Sequence, residues 1–155
     1  NDGINNTYDS ESQETNSHMF FEFTIPVNAV SLTLTFDWSC QGEDASAAGS
    51  YDYGYILFAE TSFLPQTGTE YLVSGTGYER LDSSINSGKF NADSTNSRNT
   101  LANANYVSDS ITINNSYNSW ETGETKRLIF SWSDDTSVEK NPPWSINNVK
   151  LIYNT

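Results

Sequence analysis

Apolar and polar residues alternate along most of this chain, which is the signature of strands with one buried face. In "AVSLTLTFDWS", residues 29 to 39, the side chains of Val30, Leu32, Leu34, Phe36 and Trp38 fall on one side and those of Ser31, Thr33, Thr35 and Asp37 on the other. "HMFFEFTI" before it sets Phe21, Phe23 and Ile25 against Phe20, Glu22 and Thr24, and "PVN" turns the chain between the two runs. "YDYGYILFAE", residues 51 to 60, is apolar and aromatic on both faces, which predicts a strand in the middle of a sheet. "YVSDSITIN", "RLIFSWS" and "INNVKLIY" resume the alternation, with Leu128, Phe130 and Trp132 on one face of their run and Val149, Leu151 and Tyr153 on one face of theirs.

Between residues 65 and 105 the pattern decays into glycine, serine, asparagine and threonine, with short candidate strands at 71–73 and 78–81. A connection this long without structure is unusual in a compact domain, so short edge strands are expected within it. No helical periodicity and no internal repeat interrupts the picture. About eight alternating runs must hide their apolar sides against another layer, which predicts an all-β fold: a jelly-roll-like β-sandwich of two antiparallel sheets. An immunoglobulin-type sandwich fits less well, because the cysteine pair is missing and the chain exceeds the roughly 100 residues of such domains. The 155 residues suit a single module, large enough to bury a core without covalent staples.

Charge narrows the partners. Lysine and arginine number 7 against 20 acids, a formal net charge of -13, and no stretch gathers enough base to neutralise a phosphate backbone. Nucleic acid is excluded as the expected partner, and no apolar run is long enough for membrane insertion. The acidic excess suits hard cations such as calcium. Cys40 is the only cysteine and His18 the only histidine, so cysteine clusters for zinc and imidazole cages are ruled out. The chain opens on "NDGINNTYDS" with no charged-then-apolar leader, which reads as a mature or excised piece of a longer protein.

Three stretches in order, "IPVNAVSLTLTFDWSCQGE", "YDYGYILFAETSFLPQTGT" and "KRLIFSWSDDTSVEKNPPWSINNVKL", resemble the choice-of-anchor J modules of Bacteroidetes surface and secreted proteins. These modules are similar in turn to cleaved-adhesin and MAM-type jelly rolls. The resemblance covers most of residues 20 to 153, with 68 to 105 unmatched. It implies a non-catalytic part of a secreted or cell-surface protein, an adhesin-like or glycan-contacting role, neighbouring domains in the same chain, and a structural calcium ion. The family's tryptophan, a polar residue and an aspartate at the end of the penultimate strand correspond to Trp132, Asp134 and Asp135, and its paired prolines to Pro142 and Pro143. Where the family carries Ile-Asp-Asn, this chain reads Ile146, Asn147, Asn148, exchanging a carboxylate for an amide that brings no charge to a cation.

Two kinds of site are then open. Glu43, Asp44 and Asp52 flank the small-residue loop "DASAAGS", and Asp134 and Asp135 lie in another, so Glu43, Asp52, Asp134 and Asp135 are candidate calcium ligands if these loops share one end of the sandwich. The alternative is chance neighbours among many solvated acids. For a glycan, exposed rings stack on the apolar face of a pyranose while amides take its hydroxyls. Trp38 and Trp132 fit the inward pattern, whereas Trp120, beside Tyr117, and Trp144, stiffened by Pro142 and Pro143, fall in predicted loops. Trp144, Trp120, Tyr117, Asn147, Asn148 and Tyr53 are therefore the candidate ligand-binding residues, against the alternative that both loop tryptophans fold back to cap the sandwich. No serine lies in a nucleophile elbow, no glycine loop cradles phosphate, and no pair of acids stands out as a glycosidase dyad. The expectation is a non-enzymatic, secreted or surface-attached module binding polysaccharide. Its competitor is an adhesive or structural spacer that recognises protein, in a bacterial surface protein or a phage fibre.

Overall fold

The computed structural model describes residues 15–40, 52–81, 90, 106–114, 120–134 and 144–155. Among these residues the chain forms strands β1 (Thr15–Thr24), β2 (Ser31–Ser39), β3 (Tyr53–Glu60), β4 (Tyr78–Arg80), β5 (Val107–Asn114), β6 (Thr125–Asp134) and β7 (Ser145–Asn154), and no helix. All pairings between them are antiparallel. One sheet has the order β1-β6-β3-β4 and the other β5-β2-β7. Every crossing from β1 to β2, β2 to β3, β4 to β5, β5 to β6 and β6 to β7 changes sheet, so the two layers are woven together rather than laid down one after the other. The sandwich expected from alternation is present.

The period-two pattern explains the packing. Leu32, Leu34, Phe36 and Trp38 of β2 are buried, and they meet Ile56 and Phe58 of β3 and Leu128, Phe130 and Trp132 of β6 across the interlayer space. At about 1.5–3 kcal/mol for each fully buried large apolar side chain, this layer supplies the main drive for folding. Trp38 and Trp132 are inward, as the alternation predicts. Val30 is a correction: it precedes β2, outside the paired segment, and is exposed.

β7 departs further from the sequence reading. Leu151 packs on the core, but Val149 and Tyr153 are exposed. β7 pairs only with β2 among the described strands, so no described strand lies on its far side. Its register against β2 also shifts between Thr35 and Asp37. An extra residue there leaves Ile146 facing inward before the shift and Leu151 facing inward after it.

β3 is central, between β6 and β4, as its two apolar faces require. Its outward row, Tyr53, Tyr55, Leu57 and Ala59, joins Ile129 in a second buried cluster that Phe63, Tyr71 and Tyr78 cover. The segment 61–77 therefore folds back over the outside of this sheet. It is pinned there by backbone bonds from Gly68 N–H to Asn16 O (3.1 Å) and by Tyr71 N–H to the Tyr55 hydroxyl (3.2 Å). Of the short strands expected between 65 and 105, Tyr78–Arg80 forms, while residues 71–73 are not a strand and Leu72 and Val73 point to solvent.

At the other end of β6, Lys126 is buried and closes ion pairs with Glu60 (2.5 Å) and Glu124 (3.1 Å). Burial alone pulls its ammonium down, but the two carboxylates outweigh that and leave its pKa above the ordinary value. The ammonium's contribution is thus complete at neutral pH and lost as pH rises through the raised value, while that of Glu124, whose carboxyl the Glu121 N–H and then Lys126 hold below its ordinary pKa, is lost in acid.

Candidate functional site

Asp52 and Asp134 lie at one end of the four-stranded sheet. Tyr53 pairs with Ser133, so continuing the register by one residue sets Asp52 across from Asp134. Both are buried, at 0% and 1% exposure. Glu43, Asp44 and Asp135 lie outside the described residues, and among the described residues no group of three or more His, Cys, Asp or Glu converges. Two buried carboxyl groups at a strand end are hard oxygen donors, the kind of group that calcium takes.

The candidate rings sit deeper than a loop position suggests. Trp120 is 2% exposed, belongs to the interlayer core and donates its indole N–H to the Asn114 carbonyl at 3.2 Å. Tyr53 is buried beneath the cover of the four-stranded sheet. Both corrections have one physical cause: at the open end of a sandwich and under a returning loop, a large ring gains more by excluding water than by facing it. Trp144 is partly buried, with its ring stacked on Phe90 at 5.2 Å between centroids and 19° between planes. Tyr117 lies outside the described residues.

Asn147 and Asn148 are exposed, and they lead to a different surface. The outward row of β2 is Ser31, Thr33, Thr35 and Asp37; its partners on β5 are Asn114, Thr112, Ser110 and Ser108, and on β7 they are Asn154, Ile152, Lys150 and Asn147. With Ile152 as its one apolar member, this three-strand face is a grid of hydroxyls, amides and two opposite charges. At its Asp37 end the groups converge. Asp37 accepts from the Ser108 hydroxyl (2.6 Å) and from the Asn148 side-chain amide (2.6 Å). The irregular register of β7 makes this possible: Asn148 adopts φ 51°, a left-handed conformation that asparagine tolerates better than most residues, its side-chain amide reaches Asp37, and its backbone N–H donates to Asn147 Oδ1 at 2.8 Å. The bonds from Ser108 and then Asn148 hold the Asp37 carboxyl below its ordinary pKa, so it is ionised at neutral pH.

Tyr106 is 52% exposed and immediately precedes β5. Continuing the alternation from Ser108 places it on the same outer face, beside the Asp37 cluster. Sequence reasoning missed Tyr106 and Asp37 as site residues, although the alternation that buries Trp38 and Val107 already sends both outward. No family model and no curated protein matches the chain.

The histidine is placed on the opposite outer face. Its Nε2 lies 3.1 Å from the Gln66 carbonyl, which can only accept, and its Nδ1 lies 2.9 Å from the Ser131 hydroxyl, so the neutral ring carries its proton on Nε2 and accepts from Ser131. Although the Ser131–His18 distance suits a nucleophile and base, Ser131 is buried mid-strand between β1 and β3, and Tyr55 also bonds to its hydroxyl. The arrangement fastens segment 61–77 to the sheet. Burial chiefly pushes the His18 pKa down from its ordinary 6.5, partly opposed by the carbonyls of Gln66 and Thr69. A base with a lowered folded pKa gives its full contribution above 6.5 and loses it as pH falls below that value towards its own. Urea midpoints measured at pH 7.5 and pH 5 are expected to fall with acidification in the wild type, and His18→Gln is expected to flatten that fall.

Proposed function

We propose that this chain is a non-catalytic extracellular binding module that takes carbohydrate on the outer face of the β5-β2-β7 sheet. The observation carrying the reading is the convergence of Asp37, Ser108 and Asn148, with Asn147 opposite Asp37 in the register and the exposed Tyr106 next along the outward row of β5. An ionised carboxylate and an amide accept and donate to sugar hydroxyls, and a neighbouring phenol ring supplies a stacking surface. The preset bonds between Asp37, Ser108 and Asn148 fix these groups in advance, so little side-chain freedom is lost on binding. The opposite outer face, by contrast, is overlaid by segment 61–77.

The test is affinity-gel retardation on a panel of immobilised neutral polysaccharides. Wild type is expected to be retarded by at least one of them, Tyr106→Ala and Asn148→Ala to run free, and His18→Gln to behave as wild type. Unretarded wild type across the panel, or variants held as strongly as wild type, contradicts the reading.

A structural calcium fits the same module. Asp52 and Asp134 would supply oxygens to it, and the ion would fix the end of the four-stranded sheet. Adding a chelator is expected to lower the thermal midpoint, calcium to restore it, and Asp134→Asn to remove the calcium response; an unchanged midpoint in chelator contradicts the site.

One feature favours protein recognition as a second reading. β7 is an edge strand among the described residues and carries exposed Val149, Ile152 and Tyr153, a surface suited to strand addition by a neighbouring chain or domain. A module of that kind, a spacer or adhesive domain, binds no sugar in the gel.

A further inference from the structure

Arg80 is 1% exposed, yet its guanidinium is only half used. Its Nη1 donates to the Tyr71 carbonyl at 2.8 Å, and its backbone N–H donates to the Ser74 hydroxyl at 3.0 Å. The guanidinium carbon sits 4.5 Å from the centre of the Tyr55 ring and 5.7 Å from that of Tyr53. One end of the group is thus anchored and one face is supported. Nε and Nη2, both buried, have no hydrogen-bond partner among the described residues.

Those two donors are adjacent. Together they form the side-on edge of the guanidinium, whose parallel N–H bonds match the two oxygens of a carboxylate. Arginine does not lose its proton in a protein, so burial leaves a permanent positive charge that a close carboxylate would stabilise. Among the described residues no carboxylate lies within ion-pair distance of it. Glu70 acts on it through space, but its own contact is with the Ser133 hydroxyl.

We propose that the Nε/Nη2 edge of Arg80 is a receptor for one carboxylate group of a small ligand, held side-on by two parallel N–H···O bonds. A carboxylate is favoured over a phosphate or sulfate by charge: one negative charge neutralises the guanidinium, whereas a second would stand near Glu70 in a chain of net charge -13. Tyr53 and Tyr55, which support the guanidinium, offer apolar surface to the body of the ligand. Access requires the segment around Tyr71 to move, since its carbonyl and backbone N–H tie it to Arg80 and Tyr55. The receptor lies on the outer face opposite the Asp37 cluster, so it stands or falls separately from the carbohydrate reading.

The test follows the arginine Nε–H resonances of the intact chain by ¹H–¹⁵N correlation spectra during titration with sodium acetate, sodium glucuronate or sodium sulfate, each against sodium chloride of equal ionic strength. Arg80, Arg98 and Arg127 are the chain's arginines, so few signals need assignment. The Arg80 signal is expected to move saturably with acetate or glucuronate and to stay in place with sulfate and chloride. Arg80→Lys, which keeps the charge and loses the fork, is expected to weaken the carboxylate affinity about tenfold or more. A stationary Arg80 signal in both carboxylates, an equal response to sulfate, or undiminished acetate binding by Arg80→Lys overturns the proposal. Should Arg80→Lys not fold, the assigned wild-type signal decides alone.

Discussion

Trp120→Ala is expected to cost about 3–5 kcal/mol of folding stability, the range for removing a buried tryptophan. The residue follows a stretch of polar residues and precedes the turn that leads into β6, a setting that suggests a ring on display. Its indole instead closes the end of the interlayer core, 2% exposed, and reaches back to the Asn114 carbonyl at the end of β5. Truncation removes the apolar volume and also leaves the Asn114 carbonyl without its indole donor. Chemical unfolding read by far-UV circular dichroism measures the loss. The same variant, assayed below its unfolding midpoint, is expected to keep carbohydrate retardation, because the ring lies inside the sandwich and the proposed binding groups lie on its outer face. A cost under about 1 kcal/mol is the value for an exposed side chain and would place the indole outside the core.

Gly54→Val is the second large effect, and it runs against local preference. Valine favours strands more than glycine does, so an unconstrained site in β3 would gain from the exchange. At position 54 the space is taken: a Cβ there would fall within the indole of Trp144. The glycine backbone also exchanges both bonds with Phe90, at 2.8 and 2.9 Å, while Phe90 stacks on that same indole. The missing side chain is what lets the ring lie flat against the strand. The expected cost is at least the ~1–3 kcal/mol of an overpacked core, with tryptophan fluorescence shifted to the red as the displaced indole meets water. Equal stability of the two proteins, with unchanged fluorescence, would show that Trp144 does not occupy this slot.

These two positions also show what the sequence discloses and what it hides. Alternation in residues 31 to 39 identifies both faces of β2, because one sheet of a sandwich has one wet and one dry side and each side chain must choose. The doubly apolar run at 51 to 60 identifies a central strand, but not what covers its second face. That cover comes from Phe63, Tyr71 and Tyr78 in a segment with no periodicity, because a loop packed across a sheet follows the sheet's surface and not a repeat of its own. The fate of Trp120 and Trp144 was illegible for a related reason. Position between strands says that a residue is outside a ladder, not that it is outside the core.

The candidate site divides in the same way. Asn147 and Asn148 were readable as polar neighbours of a strand, yet their meeting with Asp37 depends on a register shift and a left-handed residue that leave no mark in the alternation. Tyr106 and Ser108 were readable as outward positions. Their value appears only when β5 is placed beside β2, a pairing between residues far apart in the chain.

The most direct test is to map backbone ¹H–¹⁵N shifts while titrating oligosaccharides of a polysaccharide that retards the protein. Shifts are expected to cluster at Tyr106, Ser108, Asp37, Asn147 and Asn148, with those around Tyr71 and Arg80 unmoved. Shifts confined to the covered face of the other sheet, or to the edge of β7 away from β2, would contradict binding on the β5-β2-β7 face.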